Sequence, residues 1–314
     1  MFIKTQLTLW SIASFIALFA LILGLFPDRF WSNPAINIIT DNNKSKINSR
    51  LAKGQYLYEI SGCAACHNGT SHDAKELSGG RRLKTPFGTL ITPNITPSKS
   101  HGIGNWNDQQ FIDAMTIGLS PQGRHYFAAF PFTSYKHMPH QDLVDLKLYI
   151  DTTIAAVNAS TEERELTFPF NIRLAQGLWK WLYLDKDVTF VAQHLDTKEL
   201  RRGAYLTESL GHCGECHTPR DTLGGLKKNR WLAGVPIGGM FPSAPNITPH
   251  ADGIGSWSIE QTKHALKTGK LPNGKTMGGE MGHVVTEITS NLNNADLNAM
   301  AKYLHHIEPL PSQQ

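Results

Sequence analysis

All four cysteines of this 314-residue chain lie in two copies of one pattern, Cys-x-x-Cys-His. The copies consist of Cys63, Cys66 and His67, and of Cys213, Cys216 and His217. Two cysteines at this spacing fit a redox dithiol or part of a zinc site. A histidine directly after the second cysteine indicates covalent haem c instead, because both thiols can add to porphyrin vinyl groups while the imidazole binds iron. The sequence therefore predicts two covalently bound haem c groups, with the two histidines as axial ligands.

Each haem iron also needs a sixth ligand or an open site. We predict Met138 and Met281, because a thioether suits an electron carrier and both residues follow loops rich in Gly and Pro. Met277 is an alternative to Met281, since the sequence does not fix the register of that loop. His137 and His283 stand next to the predicted ligands, and ligation by either would give a low-potential His/His haem.

The two halves of the chain repeat each other. KGQYLYEISGCAACH in the first half matches RGAYLTESLGHCGECH in the second, and PNITP and GIG-x-W recur after each motif. Two such halves indicate a duplicated domain of roughly 100 residues rather than a solenoid. Asn107 with Gln110, and Ser258 with Gln261, have the spacing of capping boxes at helix starts. No alternating strand pattern stands out, so we predict an all-α fold.

The predicted organisation has five segments. They are an N-terminal segment at 1–26, a polar tether at 27–48, a first domain at 49–151, an interdomain linker at 152–196 and a second domain at 197–310. The linker contains FPFNIRLAQGLWKWLYLDK, which is rich in Trp, Tyr and Leu. Two interpretations of it stay open: it packs between the domains, or it packs against a membrane surface.

The stretch at 7–26 carries no charged residue. Its length is sufficient to cross a hydrocarbon core of about 30 Å as a helix. A secretory signal peptide is the alternative, but its apolar region is usually ~7–15 residues long and ends in a small-x-small site. We therefore expect an uncleaved transmembrane anchor, with Lys4 in the cytoplasm and the rest of the chain exported.

Four further residues recur at matching positions and are candidate haem contacts: Asn94, Trp106, Asn246 and Trp257. Their amide and indole groups can donate hydrogen bonds to haem propionates. Loop fastening and core packing are the alternative roles. The formal net charge is +4, which roughly four propionate charges would offset. No run of Lys and Arg indicates a nucleic-acid partner.

Longer stretches of the chain resemble a known family. FGTLITPNITPSKSHGIGNWNDQQFIDAMTIGLSPQGRHYFAAFPFTSYKHM, and APNITPHADGIGSWSIEQTKHALKTG with MGHVV, are similar to the cytochrome c subunits of bacterial membrane-bound alcohol, gluconate and sorbitol dehydrogenases. The similarity covers about residues 50–307. It implies two tandem all-α cytochrome c domains, with His67 paired to Met138 and His217 paired to Met281. The better-known members carry three haem motifs, whereas this chain has two.

These features predict a membrane-anchored dihaem electron carrier. It would receive electrons from a periplasmic dehydrogenase and pass them to ubiquinone, or to another cytochrome or oxidase of the respiratory chain. We expect an electron-transfer subunit without catalytic residues of its own, because the sequence has no nucleotide-binding glycine fingerprint. A dihaem enzyme such as a peroxidase is the alternative. The expected location is the bacterial inner membrane, with the haem domains in the periplasm.

Overall fold

The computed structural model describes residues 14–15, 17–19, 21–22, 31, 33, 44–69, 75–161, 165–168, 170–184 and 195–312, and helix is their main regular structure. From residue 44 onward, the described α-helices, named α1 to α11, are Lys44–Ile60, Cys63–His67, Asp108–Ile117, Phe132–Tyr135, His140–Thr153, Ala175–Tyr183, Lys198–Ala204, Gly214–His217, Ile259–Thr268, Gly279–Glu287 and Asn294–His306. A π-helix spans Tyr205–Leu210, and 3-10 turns span Lys228–Arg230 and Thr289–Asn291.

A small antiparallel sheet corrects the prediction of an all-α fold. Its strands are β1 (Arg82–Thr85), β2 (Gly88–Ile91) and β3 (Glu165–Leu166), in the order β1-β2-β3. A two-residue turn joins β1 to β2, and β3 comes from the interdomain linker. The sequence did not reveal these strands because they are short and do not alternate between buried and exposed apolar residues.

Each half is built around the same crossing of its first and last helices. The helix α1 packs on α5 in the first half, and α7 packs on α11 in the second. A Cβ atom at Gly54 would lie 2.1 Å from the carbonyl oxygen of Asp145, and one at Gly203 would lie 2.0 Å from that of Ala299. The crossings therefore require glycine, because any side chain would push the helices apart. The two predicted capping boxes are confirmed at the starts of α3 and α9.

The repeats differ by one residue in the helix that leads to the haem motif. The second copy has one residue more than the first between the matching tyrosine, Tyr56 or Tyr205, and the first motif cysteine. This extra residue falls where α7 changes into the π-helix Tyr205–Leu210. A π-helix accommodates one additional residue per turn. Both the helix crossing and the motif therefore keep their places in the second half.

The two halves meet through a reciprocal pair of hydrogen bonds. Tyr56 of the first half donates to Asp296 of the second with an Oη–Oδ2 distance of 2.7 Å. Tyr205 of the second half donates to Asp142 of the first, also at 2.7 Å. Both aspartates occupy the third position of the last helix of their half. The contact is thus related by an approximate two-fold axis, as in a symmetric dimer.

The segment predicted as a polar tether contributes to the packed first half. Trp31 is only 3 % exposed and belongs to a core cluster with Phe132 and Leu184. Asn33 donates a hydrogen bond of 2.7 Å to the Asp113 carboxylate. The helix α1 already begins at Lys44, before the predicted domain boundary. The polar residues at 41–49 favour a free tether, but the buried Trp31 attaches this segment to the first half.

The interdomain helix α6 contacts both halves. Lys180 is fully buried and donates hydrogen bonds to the carbonyl oxygens of Ile117 (2.6 Å) and Gly118 (3.2 Å), at the end of α3. On the other side, Trp179 donates through Nε1 to the carbonyl oxygen of Leu223 in the second half. The linker therefore packs between the halves, which was one of the two interpretations left open.

The predicted membrane anchor at 7–26 lies mostly outside the described residues. In the part of the chain that the structure describes, none of the helices has both the length and the apolar character needed to cross a membrane.

Candidate functional site

The two motif histidines are held in the same way. Nδ1 of His67 lies 2.8 Å from the carbonyl oxygen of Pro93, and Nδ1 of His217 lies 2.7 Å from that of Pro245. A carbonyl oxygen only accepts, so each Nδ1 carries the proton and each Nε2 has a free lone pair. Burial lowers the pKa of both imidazoles, which keeps them neutral. These are the tautomer and the protonation state that an iron ligand requires.

A duplicated loop positions these prolines. Gly79 donates through its backbone N–H to the carbonyl of His67, and Gly234 donates likewise to that of His217. Two residues before each glycine stands a fully buried leucine with a positive φ, Leu77 at 56° and Leu232 at 58°. The left-handed region is unfavourable for leucine, so tertiary packing imposes it in both copies. Sequence reasoning missed these positions, although the PNITP repeat pointed to the prolines.

The four motif cysteines are all free thiols. Burial raises the pKa of Cys63 to about 11 and that of Cys213 to about 12, so both are protonated at neutral pH. Cys66 and Cys216 are exposed at the surface. Among the described residues, these cysteines form no cluster of three or more potential ligands that could hold a metal ion. The thiols and the imidazole Nε2 atoms together fit covalent haem attachment.

The predicted methionine ligands differ in their surroundings. Met138 is buried in the main hydrophobic cluster, as are Met115 and Met300, which we interpret as core residues. Met281 lies on α10 and is half-buried. Met277 is also half-buried and lies two residues before α10. Its backbone N–H donates a hydrogen bond to the carbonyl of Gly269. The two candidate ligands of the second haem thus lie on either side of the first residue of α10.

The recurring asparagines fasten loops. Asn94 donates through Nδ2 to the carbonyls of Val157 (2.7 Å) and Ala159 (3.0 Å), while its Oδ1 accepts from Thr96. Asn246 donates to the carbonyl of Leu310 at 2.7 Å, while its Oδ1 accepts from Thr248. These bonds correspond to the loop-fastening role. Haem contact by these amides stays a prediction.

The recurring tryptophans lie beside the main cluster. Trp106 and Trp257 are half-buried and pack against it. Each also stands directly before the N-cap residue of the capped helix of its half, α3 or α9. Their haem contacts likewise stay a prediction.

The haem-motif helix of the second half is fastened to the first half through Glu215. Its Oε1 accepts hydrogen bonds from Thr133 (2.7 Å) and Ser134 (3.0 Å) on α4, four or five residues before Met138. Its Oε2 pairs with Arg220 at 2.5 Å, and the Glu215 side chain is only 11 % exposed. The first motif has Ala65 at this position, so this connection exists in one direction only. The sequence offered no signal for it.

The two motifs lie close together at the interface. Arg81, which donates to the carbonyl of Ala65 within the first motif, pairs with Glu280 on α10 of the second half at 3.6 Å. Although both thiols reach the surface, desolvation by the surrounding protein raises the pKa of Cys66 and of Cys216, and the charge of Glu280 contributes to both shifts. Cys66 itself is near enough to contribute to the shift at Cys216. The attachment edges of the two sites therefore adjoin across the interface.

Comparisons with known proteins agree with this duplicated arrangement. The cytochrome c family model matches the chain twice, at residues 51–153 and 201–308. A diheme cytochrome c-type protein of Cereibacter sphaeroides is 39 % identical over 83 % of this chain and 87 % of its own length. The fructose dehydrogenase cytochrome subunit of Gluconobacter japonicus is 37 % identical over 82 % of this chain. The cytochrome c subunit of alcohol dehydrogenase (quinone) from Gluconobacter oxydans is 31 % identical over 83 % of this chain.

The relatives differ in how much of their own length this chain covers. The chain spans 52 % of the fructose dehydrogenase subunit and 55 % of the alcohol dehydrogenase subunit. The similarity to the diheme protein, by contrast, extends over most of both chains. Two family domains and a diheme relative together establish two covalently bound haem c groups, as predicted.

Proposed function

The chain belongs to the cytochrome c family and binds two haem c groups, and on this premise we propose that it is the electron-transfer subunit of a periplasmic dehydrogenase complex. When bound, haem c supplies a reversible one-electron iron couple. The chain has to fix the ligands, limit access of water and bring the two sites together. The duplicated His–Pro hydrogen bond, at 2.8 Å and 2.7 Å, is the observation that carries this proposal.

We assign the ligands residue by residue. Cys63, Cys66, Cys213 and Cys216 attach the two haems, and His67 and His217 bind the two irons through Nε2. Met138 and Met281 are the proposed thioether ligands, with Met277 as the alternative to Met281. The hydrogen bond from Nδ1 to a proline carbonyl orients each ring and raises its basicity as a ligand.

A dehydrogenase is the proposed electron donor. The names of the relatives support this, because two are cytochrome subunits of fructose and alcohol dehydrogenases. Ubiquinone, or another cytochrome or oxidase, is the proposed acceptor. The word quinone in the name of the alcohol dehydrogenase relative supports a quinone as acceptor. The peroxidase alternative has no support in these names.

A bacterial inner membrane is the proposed location, with the stretch 7–26 as the anchor and both haem domains in the periplasm. The uncharged composition of that stretch supports the anchor. In bacteria, haem c is attached to the protein outside the cytoplasm, and this agrees with haem domains in the periplasm. In this arrangement the four free thiols are consumed by the cofactor, so an oxidising compartment does not require disulfides.

The test uses membranes from cells that express the full chain. Alcohol, fructose or gluconate is added, and the absorption band of reduced haem c is followed. We expect one substrate to reduce the haems when its dehydrogenase is present, and Met138→Ala to remove the thioether–iron charge-transfer band from one haem only. Reduction by dithionite but by none of these substrates would refute the proposed donor class. Met281→Ala and Met277→Ala distinguish the two candidate ligands.

A further inference from the structure

An exposed apolar face runs along the interdomain linker and the adjoining loops. We define the apolar face by its exposed members, Phe168, Ile172, Trp181, Leu182, Leu223, Ile237 and Met240. Ile237 is 92 % exposed and Phe168 is 80 % exposed. Side chains of this size are rarely grouped on the surface of a monomer without a partner. We infer that the apolar face is seated in the interfacial layer of a lipid bilayer, an inference that rests on the proposed membrane anchor.

The members of the apolar face belong to one continuous surface. Trp179 on α6 is bonded to the carbonyl of Leu223, and the ring of Tyr183 lies directly beneath Gly225. A Cβ atom at Gly224 would lie 3.5 Å from the ring of Phe87 and 3.9 Å from that of Phe241. These contacts connect the linker helix, the tip of the β1–β2 hairpin and the loop that carries Ile237 and Met240.

An aromatic cluster completes this surface. The ring of Phe87 packs against Phe170 at 4.5 Å and against Phe241 at 6.1 Å, measured between centroids. Phe170 adjoins Phe168 through a single residue, and Phe241 directly follows Met240. The cluster therefore joins the first exposed member of the apolar face to the last.

The helix α6 presents large apolar side chains on the side that faces away from the first half. Its inward side buries Gln176, Gly177 and Lys180 against the first half. Its outward side presents Trp181 at 48 % exposure and Leu182 at 50 %. The outward side of a surface helix is ordinarily polar, so exposed apolar side chains there indicate a partner that covers them. Tryptophan is typical of the membrane interface, where its apolar ring and its N–H group meet different surroundings.

The N-terminal segment indicates lipid as the cover. The ring of Phe19, within the proposed anchor, contacts Trp181 with 5.3 Å between centroids in an edge-on arrangement. Other described residues of this segment, Phe15, Leu18, Leu21 and Ile22, are exposed. The proposed anchor therefore adjoins the apolar face at Trp181.

The length of the connection strengthens this argument. The proposed anchor ends at residue 26, and Trp31 is already buried with Leu184 at the end of α6. Five residues span at most about 18 Å. The first half is thus held close to the membrane surface, with the end of α6 beside the point where the chain emerges. A long free tether, which would let the domains face any direction, is not compatible with a buried Trp31.

The test measures whether lipid reaches the apolar face in the full-length holoprotein. A fluorophore is attached to Ile237→Cys, Leu223→Cys or, as matched control, Glu260→Cys, whose native side chain is 77 % exposed at the start of α9. The helix α9 carries no part of the apolar face. Emission is compared in vesicles of brominated and unbrominated lipid, so that quenching by haem cancels. We expect at least twofold quenching by brominated lipid at positions 237 and 223, and none at 260.

The outcomes separate this inference from the proposed anchor. Retention in vesicles after an alkaline wash, with labels at 237 and 223 unquenched, overturns the lipid contact and leaves the anchor in place. Loss of the protein from vesicles overturns both. Labels that are unquenched in vesicles, but shift to shorter wavelength when the purified dehydrogenase is added, assign the apolar face to that partner and overturn the inference. An unchanged haem spectrum verifies that each variant is folded.

Discussion

Tyr56 donates a hydrogen bond to Asp296 across the interface between the two repeats, with 2.7 Å between Oη and Oδ2. Asp296 also pairs with Arg202 at 2.6 Å, so one carboxylate serves its own half and the other half at once. Tyr205 and Asp142 repeat the arrangement in the opposite sense, with Lys53 in the place of Arg202. Because the two bonds run in opposite directions across the interface, a shift of either half would break both the Tyr56–Asp296 and the Tyr205–Asp142 hydrogen bonds. This interface fixes the relative position of the two haem motifs.

The Asp296 interaction predicts an acid-sensitive interface. Burial opposes ionisation of Asp296, but hydrogen bonds from Arg202 and Tyr56 outweigh it and lower the pKa below the ordinary 3.8. A lowered carboxylate pKa contributes stability above about pH 4 that is lost as the pH falls below it. Asp296→Asn should therefore unfold more easily at pH 7 and should lose less stability between pH 5 and pH 3. Urea denaturation at several pH values measures this, and an unchanged acid slope would contradict it.

The helix crossings predict a strong glycine requirement. Gly54→Ala and Gly203→Ala place a methyl group against a backbone carbonyl, at 2.1 Å and 2.0 Å, and must separate the helices. We expect each to lower the free energy of unfolding by about 1–3 kcal/mol. Gly239→Ala is the matched control, because its nearest neighbour lies at 3.7 Å. Chemical denaturation of the holoprotein measures all three, and equal stabilities would disprove the requirement.

The buried Lys180 predicts an alkaline gain in stability. Burial lowers its pKa from 10.5 to about 7. Between these values the unfolded chain binds a proton that the folded protein has released, so stability rises with pH. Relative to Lys180→Met, the wild-type protein should therefore gain stability from pH 7 to pH 10. If stability changed with pH by the same amount in the wild-type protein and in Lys180→Met, the lowered pKa of Lys180 would be ruled out. Lys99→Met, at an exposed position, should leave the slope unchanged.

The Glu215 contact predicts that the second haem motif stabilises the first half. Glu215→Ala removes the acceptor of Thr133 and Ser134 and leaves Arg220 without its carboxylate. Removing one partner of a buried ion pair lowers the free energy of unfolding by about 3–5 kcal/mol, and we expect this as the upper limit for Glu215→Ala. The exposed pair of Glu260 with Lys263 is the control, and Glu260→Ala should cost at most about 1 kcal/mol. Thermal unfolding that leaves both variants equal would argue against the contact.

The repeats, the two haem motifs and the capping boxes could be predicted from the sequence, because each depends on residues close together in the chain. Cys-x-x-Cys-His is complete within five residues, and the boxes at Asn107 and Ser258 within four. The proline carbonyls that orient His67 and His217 lie 26 and 28 residues away. Their repetition was visible as PNITP, but its chemical role was not.

The sequence by itself determined the cofactor, the duplication and the helical character of this protein, since local spacing is enough to specify them. Only the tertiary structure decided that Tyr56 reaches Asp296, that Glu215 binds the other half and that β3 completes a sheet. It also placed Trp31 and Lys180 inside the first half, although Trp31 belongs to a polar segment and Lys180 has an ionisable side chain. These outcomes depend on which distant surfaces meet when apolar area is buried, and no local pattern encodes that choice.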